Sequence, residues 1–422
     1  MSLIFFITDN IKGEDMKITN LSLAAIAVVV MTTDSMANEI FSDVELNAQL
    51  RPRYENVDDG NSATKDANAI TARTKLNAKS KLLGVEGLTA NVGLISVNDF
   101  GSNKYNSTIN GQTQYSKVVD PEKAMLSNAE INYKTGGTTL HAGRGQVNLD
   151  NQRFIGTVGW RQLERSYDSL YVANTTGKLS LLGAWVYGFQ GVNGNPTADT
   201  NTVLLHGSYA VLPSLKITAY DYMIANTHDT YGVALTGKVA LASARIGYRA
   251  EYAQQADASM EIHNPTPSTG KADADYTNVD VGANISGFIV GANYELLSGQ
   301  NGGSTTAFST PLGTNHKFNG WADRFLSTPT GGLEDMNIRL GYKAKGFGKV
   351  LVVYHDFKAD TAMSGEDDLG TETDLLYTNK IPNFNNLNGL IKYASYSKGK
   401  VAGYTNDVTK VWVGLDYKFG SK

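Results

Sequence analysis

The sequence predicts an all-β protein, a transmembrane antiparallel β-barrel of about eighteen strands with short periplasmic turns and long extracellular loops. Three observations predict it. Segments of apolar/polar alternation follow one another along almost the whole chain, the connections between them are short and long in near alternation, and the N-terminal residues have the layout of a secretory signal.

The N-terminal signal comes first. Met16-Lys17 opens a short basic stretch, Leu21 to Met31 is an apolar run, and Ser35-Met36-Ala37 sets small residues at the −3 and −1 positions of a cleavage site. Residues 1–37 are therefore read as a signal peptide, with residues 1–15 as an upstream start before Met16, and residues 38–422 as one barrel domain. The apolar run is about half of the ~20 residues that a spanning helix needs. Beyond residue 37 no apolar run is long enough for such a helix, so a mature chain that crosses a bilayer has to do so as a closed barrel.

The alternation is the second signal. Val44, Leu46, Ala48 and Leu50 alternate with Glu45, Asn47, Gln49 and Arg51; Ile70, Ala72, Leu76 and Ala78 with Thr71, Arg73, Lys75, Asn77 and Lys79. Ile246, Tyr248 and Tyr252 stand against Arg245, Arg249 and Glu251, and Val411, Val413, Leu415, Tyr417 and Phe419 against Trp412, Asp416 and Lys418. Successive strand side chains point to opposite faces, so each segment has an apolar face for lipid and a polar face for a lumen. Strand cores are expected to begin near residues 44, 69, 87, 126, 138, 165, 178, 201, 214, 230, 243, 275, 287, 335, 347, 372, 388 and 408.

The connections are the third. Short turns are expected at 84–87, 136–137, 175–177, 212–214, 237–242, 286–287 and 345–348, and long polar loops at 56–68, 100–125, 145–164, 189–200, 256–274, 298–334, 359–371 and 398–407. A tight connection near 226–229 and a longer one at 379–387 interrupt the rule. A soluble sandwich has no reason to sort its loops by parity, whereas an outer-membrane barrel does. Gly414-x-x-Tyr417-x-Phe419 has the glycine and same-face aromatics of a terminal barrel strand, and Tyr133, Tyr171, Tyr187, Tyr294, Tyr342 and Tyr417 are read as aromatic-girdle residues near strand ends.

A barrel this wide leaves an aqueous lumen, so the expected function is that of a channel. The inward register carries Arg51, Arg53, Arg73, Lys75, Lys79 and Lys81, then Arg249, Arg339, Lys343 and Lys392, interrupted by Glu130, Glu251, Asp280 and Glu295. Two readings stay open: a basic path for an anionic solute, or a polar wall whose charges cancel across strands. In residues 143–165, Arg144, Arg153, Arg161 and Arg165 follow no strand period, Asp150 lies among them, and Phe154, Ile155, Val158 and Trp160 need burial. That composition fits a loop folded into the lumen, with guanidinium groups either offered to a carboxylate or tied to acids. Residues 311–326, with His316, Phe318, Trp321 and Phe325, have the same character.

Other classes have little support. The chain holds 37 bases against 41 acids, which does not favour nucleic acid, and it has no cysteine for disulfides, thiolate metal sites or nucleophiles. None of the six histidines lies in a nucleophile motif, no phosphate-binding glycine loop occurs, and the acidic run at 365–368 lacks calcium-loop spacing. No enzyme activity and no cofactor are expected; the partners are outer-membrane lipid and a hydrophilic solute.

Several segments resemble the alginate-export family of outer-membrane porins: NLDNQRFIG with GWRQ (148–162), Phe308-x-Thr310-Pro311-Leu312 with HKFNGWADRFLSTPTGGLED (316–335), YHDFKAD (354–360), GTETDL (370–375), ARTKLNAK (72–79) and YRAEYAQQ (248–255). The resemblance implies a monomeric barrel of about eighteen strands with an arginine-rich lumen for a polyuronate. By position, Arg73, Arg144, Arg153 and Arg161 match the family's basic pattern and Asp150 its acidic one, although the chain has only eleven arginines. The expected function is thus passive passage of hydrophilic solutes, anionic or carboxylated ones among them. The alternatives are a dedicated exporter of an anionic polysaccharide such as alginate, and a surface-loop adhesin or receptor on a barrel scaffold.

Overall fold

The structure, a computed structural model, describes residues 40–262, 270–300 and 303–420. The segment read as a signal peptide, 1–37, lies outside the described residues, as does His263. Eighteen strands form one sheet: β1 (Phe41–Asp58), β2 (Ala67–Leu82), β3 (Leu88–Asp99), β4 (Lys123–Thr135), β5 (Thr138–Gly145), β6 (Ser166–Thr176), β7 (Leu179–Gln190), β8 (Ala198–Leu212) and β9 (Leu215–Ile224) make the first half. The second half is β10 (His228–Ala240), β11 (Ala244–Ala256), β12 (Asp273–Ile285), β13 (Phe288–Ser298), β14 (Gly332–Ala344), β15 (Gly348–Met363), β16 (Glu366–Lys380), β17 (Leu387–Ser397) and β18 (Val408–Gly420). Each strand pairs antiparallel with its chain neighbours, and β18 closes on β1 through Leu50↔Tyr417 and Ala48↔Phe419. No sheet edge is left to expose unpaired backbone to lipid. Among the described residues no helix is long and apolar enough to cross a membrane.

The two faces of the wall follow from the alternation. Leu50, Ile70, Leu170, Val172, Leu205, Val233, Val279, Ile338, Leu340, Ile391 and Val413 stay exposed on the outside, as a lipid-facing belt requires. Phe288, Tyr342, Phe347 and Tyr377 form a chain of ring contacts 5.0 to 6.2 Å apart, with Tyr417 and Phe419 close to each other at 5.3 Å, so an aromatic girdle rims the end with the short turns. Tyr171 is not part of a girdle: it is turned inward and stacks on His141 at 4.2 Å.

One connection differs from expectation and another, unusual for its place, is as expected. The loop expected at 359–371 is strand, because β15 and β16 run out to a two-residue turn at Ser364-Gly365, both with positive φ (56° and 88°). Paired positive φ values are the geometry whose twist matches a hairpin, which lets a polar, glycine-containing stretch continue the ladder. The tight 226–229 connection is real: β9 and β10 pair up to Ile224↔His228.

Candidate solute path

The interior is not an empty tube. The connection between β5 and β6 (146–165) and that between β13 and β14 (299–331) turn inward and meet. Their backbones bond directly, Gly156 N–H to the Leu312 carbonyl and Thr314 N–H to that of Gln152, both at 2.9 Å. What draws them in is apolar burial that a barrel this wide cannot supply from its walls alone. Phe154, Ile155, Phe308, Leu312 and Phe325 are all nearly fully buried, against inward-facing Tyr220, Tyr222, Tyr276 and Phe357. Phe154 sits 5.2 Å from Tyr276 and 5.5 Å from Tyr220. Each such aromatic contributes roughly 1.5–3 kcal/mol by leaving water.

Four of the arginines singled out in the sequence hold this partition. Arg161 donates to both oxygens of Glu55 on β1 at 3.1 Å and to Asp323 of the second loop at 3.0 Å. Arg153 bridges to Glu295 on β13 at 2.9 Å and to Asn319 of the second loop at 2.9 Å, with Phe318 beneath its guanidinium. Arg165 donates to the Pro311 carbonyl at 3.0 Å. Arg53 on β1 pairs with Asp120 and donates to the Trp160 carbonyl at 2.7 Å. Asp150 accepts from His206 at 2.9 Å and lies 3.6 Å from the Lys216 ammonium, which ties the far end of the first loop to β8 and β9.

The loop charges are locked in their ionised forms. Burial alone would raise the Asp120 carboxyl, yet Arg53 and Arg161 beside it hold it below the ordinary range. Glu164, likewise buried, is held down by Arg73 and Lys75. Burial alone would lower the Arg161 guanidinium, but Glu55, Asp120 and Asp323 around it raise it instead. Burial drives the His316 imidazole down to about 3, so it is neutral, and its Nδ1 faces Asp323 at 2.5 Å.

A different set of cations is left facing open volume. A cavity of about 770 Å³ lies below the first loop, lined on β1, β2 and β18 by Arg51, Arg73, Lys75 and Lys418, with Glu164 and Asp416 as its acids. Among the described residues Arg51 makes no ion pair: it donates to Gln162 Oε1 at 3.0 Å, to the Gly159 carbonyl at 2.9 Å, to the Trp160 carbonyl at 3.4 Å and to the Arg161 carbonyl, all neutral. Arg73 and Lys75 share the one carboxylate of Glu164, at 2.7 and 2.8 Å. A second cavity of about 320 Å³, on the opposite wall, holds Arg249, Lys317 and Arg339 against Asp280, Glu295 and Asp335. There the charges balance, with Arg249 on Glu251 at 2.7 Å and Arg339 on Asp280. The lumen is therefore electrostatically lopsided, basic along β1, β2 and β18.

Arg144 is not brought to this path. It pairs in register with Ala129 and Asp168 and shares its face with Leu140 and Ala142, the outward face. There it makes a two-pronged pair with Asp168 at 2.7 and 2.6 Å. The residues that sequence reasoning missed are Asp120, Glu164 and Lys418, and Lys392 in its central role; Lys392 stood only as an inward base. Their only sequence signal was parity on a strand or a charge in a loop.

No family model matches the chain, and no curated protein matches it. Solved structures do. OccAB4 of Acinetobacter baumannii superposes with a TM-score of 0.70 at 16% identity, covering 90% of this chain and 99% of that one. OccK1 (OpdK) of Pseudomonas aeruginosa gives 0.71 at 11% identity over 90% and 100%. OccK3 (OpdO) of the same organism gives 0.68 at 14% over 91% and 98%. Identities this low establish the fold: an eighteen-stranded antiparallel barrel of the kind seen in the Occ and Opd porins. They also overturn the resemblance to the alginate-export family, since the matching barrels are Occ and Opd porins. The motifs that suggested it, NLDNQRFIG and HKFNGWADRFL, are packing segments of the two inward loops. Any loop pair that must bury aromatics and pin itself with arginine inside a wide barrel needs such a composition.

Proposed function

We propose that the chain is an outer-membrane channel for passive passage of small hydrophilic solutes, with a preference for anions and for carboxylates in particular. In this reading residues 1–37 direct it to the periplasm, and it works as a monomer, each barrel enclosing its own path. The observation that carries the proposal is the one-sided cation surface of Arg51, Arg73, Lys75 and Lys418, four bases against two acids around an open cavity below the partition. Rings and rows of fixed charge at a constriction select permeant ions by sign. Arg51 gives its N–H groups to neutral acceptors of the first loop, so its charge is left without a counterion and attracts a passing anion through its field. One of the similar barrels, OpdK, was crystallised with vanillate, an aromatic carboxylate, which supports the same class of solute here.

The test is swelling of liposomes that contain the refolded barrel, in an aromatic carboxylate and in its neutral amide. The carboxylate is expected to enter faster, and Arg51→Gln with Lys75→Gln to slow it several-fold while leaving the amide rate nearly unchanged. Equal rates for the two solutes in the unaltered protein would overturn the preference.

A further inference from the structure

Lys392, inward on β17, is buried against aromatic rings, and the carboxylates of Asp374, Asp323 and Glu372 act on it only from beyond ion-pair contact. Its ammonium lies 3.8 Å from the ring centroid of Trp321, 4.2 Å from that of Trp160 and 5.2 Å from that of Trp412. Its one hydrogen bond is to His316 Nε2 at 2.7 Å, and among the described residues it makes no ion pair. The hydrogen bond fixes the imidazole: Nε2 accepts from the ammonium, so Nδ1 carries the proton and donates to Asp323. Asp323 in turn accepts from Lys410 on β18 at 2.7 Å. Trp160 stacks on His316 at 4.7 Å and 8°, and Trp412 meets Trp160 edge-on at 5.7 Å.

The membership of this cage is what matters. Trp160 belongs to the first lumen loop, His316, Trp321 and Asp323 to the second, and Lys392, Lys410 and Trp412 to the wall. The acids on β16 hold the second loop differently, by its backbone: Asp374 accepts from Trp321 N–H at 3.2 Å and Glu372 from Ala322 N–H at 2.7 Å. A buried ammonium without a carboxylate partner is costly unless something replaces its water, and here indole faces do so. If either loop moves away, the ammonium loses one of the rings that replace its water. This one cation thus ties both loops to the wall, in addition to the bonds they make directly with each other.

We propose that Lys392 is the positioning residue that sets the aperture of the channel, gathering Trp160 and Trp321 from the two lumen loops onto one wall ammonium so that the partition stays closed as a unit. The inference rests on the channel reading for its effect on aperture, but its effect on the loops does not. The chain has four tryptophans, and three of them form the cage; Trp185 is the fourth and faces outward.

In a Trp185→Phe background, tryptophan fluorescence therefore reports the cage alone, and its quenching by acrylamide measures access to it. Lys392→Met is expected to raise the quenching constant about two-fold and to give a larger, noisier single-channel conductance, as a loosened local unit should. Lys392→Arg, which still stacks a cation on indole, is expected to restore both. Heat-modifiable migration on a gel checks that each barrel is folded. Should Lys392→Met not fold, Trp321→Leu, which keeps the ammonium and frees one loop, is expected to change both readouts in the same direction. Unchanged quenching in a folded variant would overturn the proposal, and so would raised quenching with the conductance of a conducting wild type unaltered. A wild type that never conducts defeats the channel reading and the aperture claim with it, while quenching still decides whether Lys392 holds the loops.

Discussion

At the scale of single residues, the charged groups divide by partner rather than by position. Arg161 is buried between Glu55 and Asp323, so removing one member strands the other's charge. Arg161→Met is expected to cost about 3–5 kcal/mol of stability in urea unfolding, whereas Lys418→Gln, exposed and without an ion pair among the described residues, is expected to change it little. The pH dependence has a definite sign. Asp120, Glu164 and Asp323 have folded-state carboxyls below their ordinary range, so their stabilisation is present above about pH 4 and is lost as pH falls through the folded values. His316, at about 3 when folded and about 6.5 when not, also loses stabilisation as pH falls between those values. Channel noise is thus expected to rise reversibly on acidification from about pH 6.5 toward 3, which recordings at stepped pH would check; noise unchanged across that range would contradict this sign. The inward parity of Arg51 and Arg73 was legible from the two-residue period. The partners of Arg161 were not, because Glu55 and Asp323 lie 106 and 162 residues away, and no local pattern encodes that distance.

At the scale of elements, the strands were legible and the loops only by character. Alternation located the strand starts to within three residues, except that of β16, which begins six residues earlier than expected, because one face must meet lipid and the other water. The hairpin of β15 and β16 escaped, since Ser364-Gly365 and the acids after it read as a loop until their paired positive φ values are seen. The inward course of the loops was suggested by their unburied aromatics, but which wall each would meet depended on long-range packing. Backbone strain marks the result: Asp150, Gln152 and Val158 in the first loop and Asn319 and Asp323 in the second have positive φ. Such conformations persist only where the surroundings over-determine them. Gly320 shows how tightly the second loop is held, with φ of 83° and a Cβ position 2.4 Å from a Glu372 carboxylate oxygen. Gly320→Ala is expected to destabilise the barrel by at least about 1–2 kcal/mol, the cost of the left-handed conformation before the clash is added. Unchanged urea unfolding for this variant would mean that the loop is not pressed against β16.

At the scale of the whole molecule, the closed sheet provides the bilayer crossing, the two inward loops divide the lumen, and the charge left over on β1, β2 and β18 is what we propose gives the passage its sign. Net charge could not reveal this, since the chain as a whole is slightly acidic at −4; the asymmetry comes from which cations the loops leave without acids. The direct test is the reversal potential of the refolded barrel in a planar bilayer across a KCl gradient, alongside a channel carrying Arg51→Gln, Lys75→Gln and Lys418→Gln. The basic wall predicts anion preference that the triple change weakens or abolishes. Cation preference, an unselective current indifferent to the three changes, or no current from correctly folded protein would contradict it.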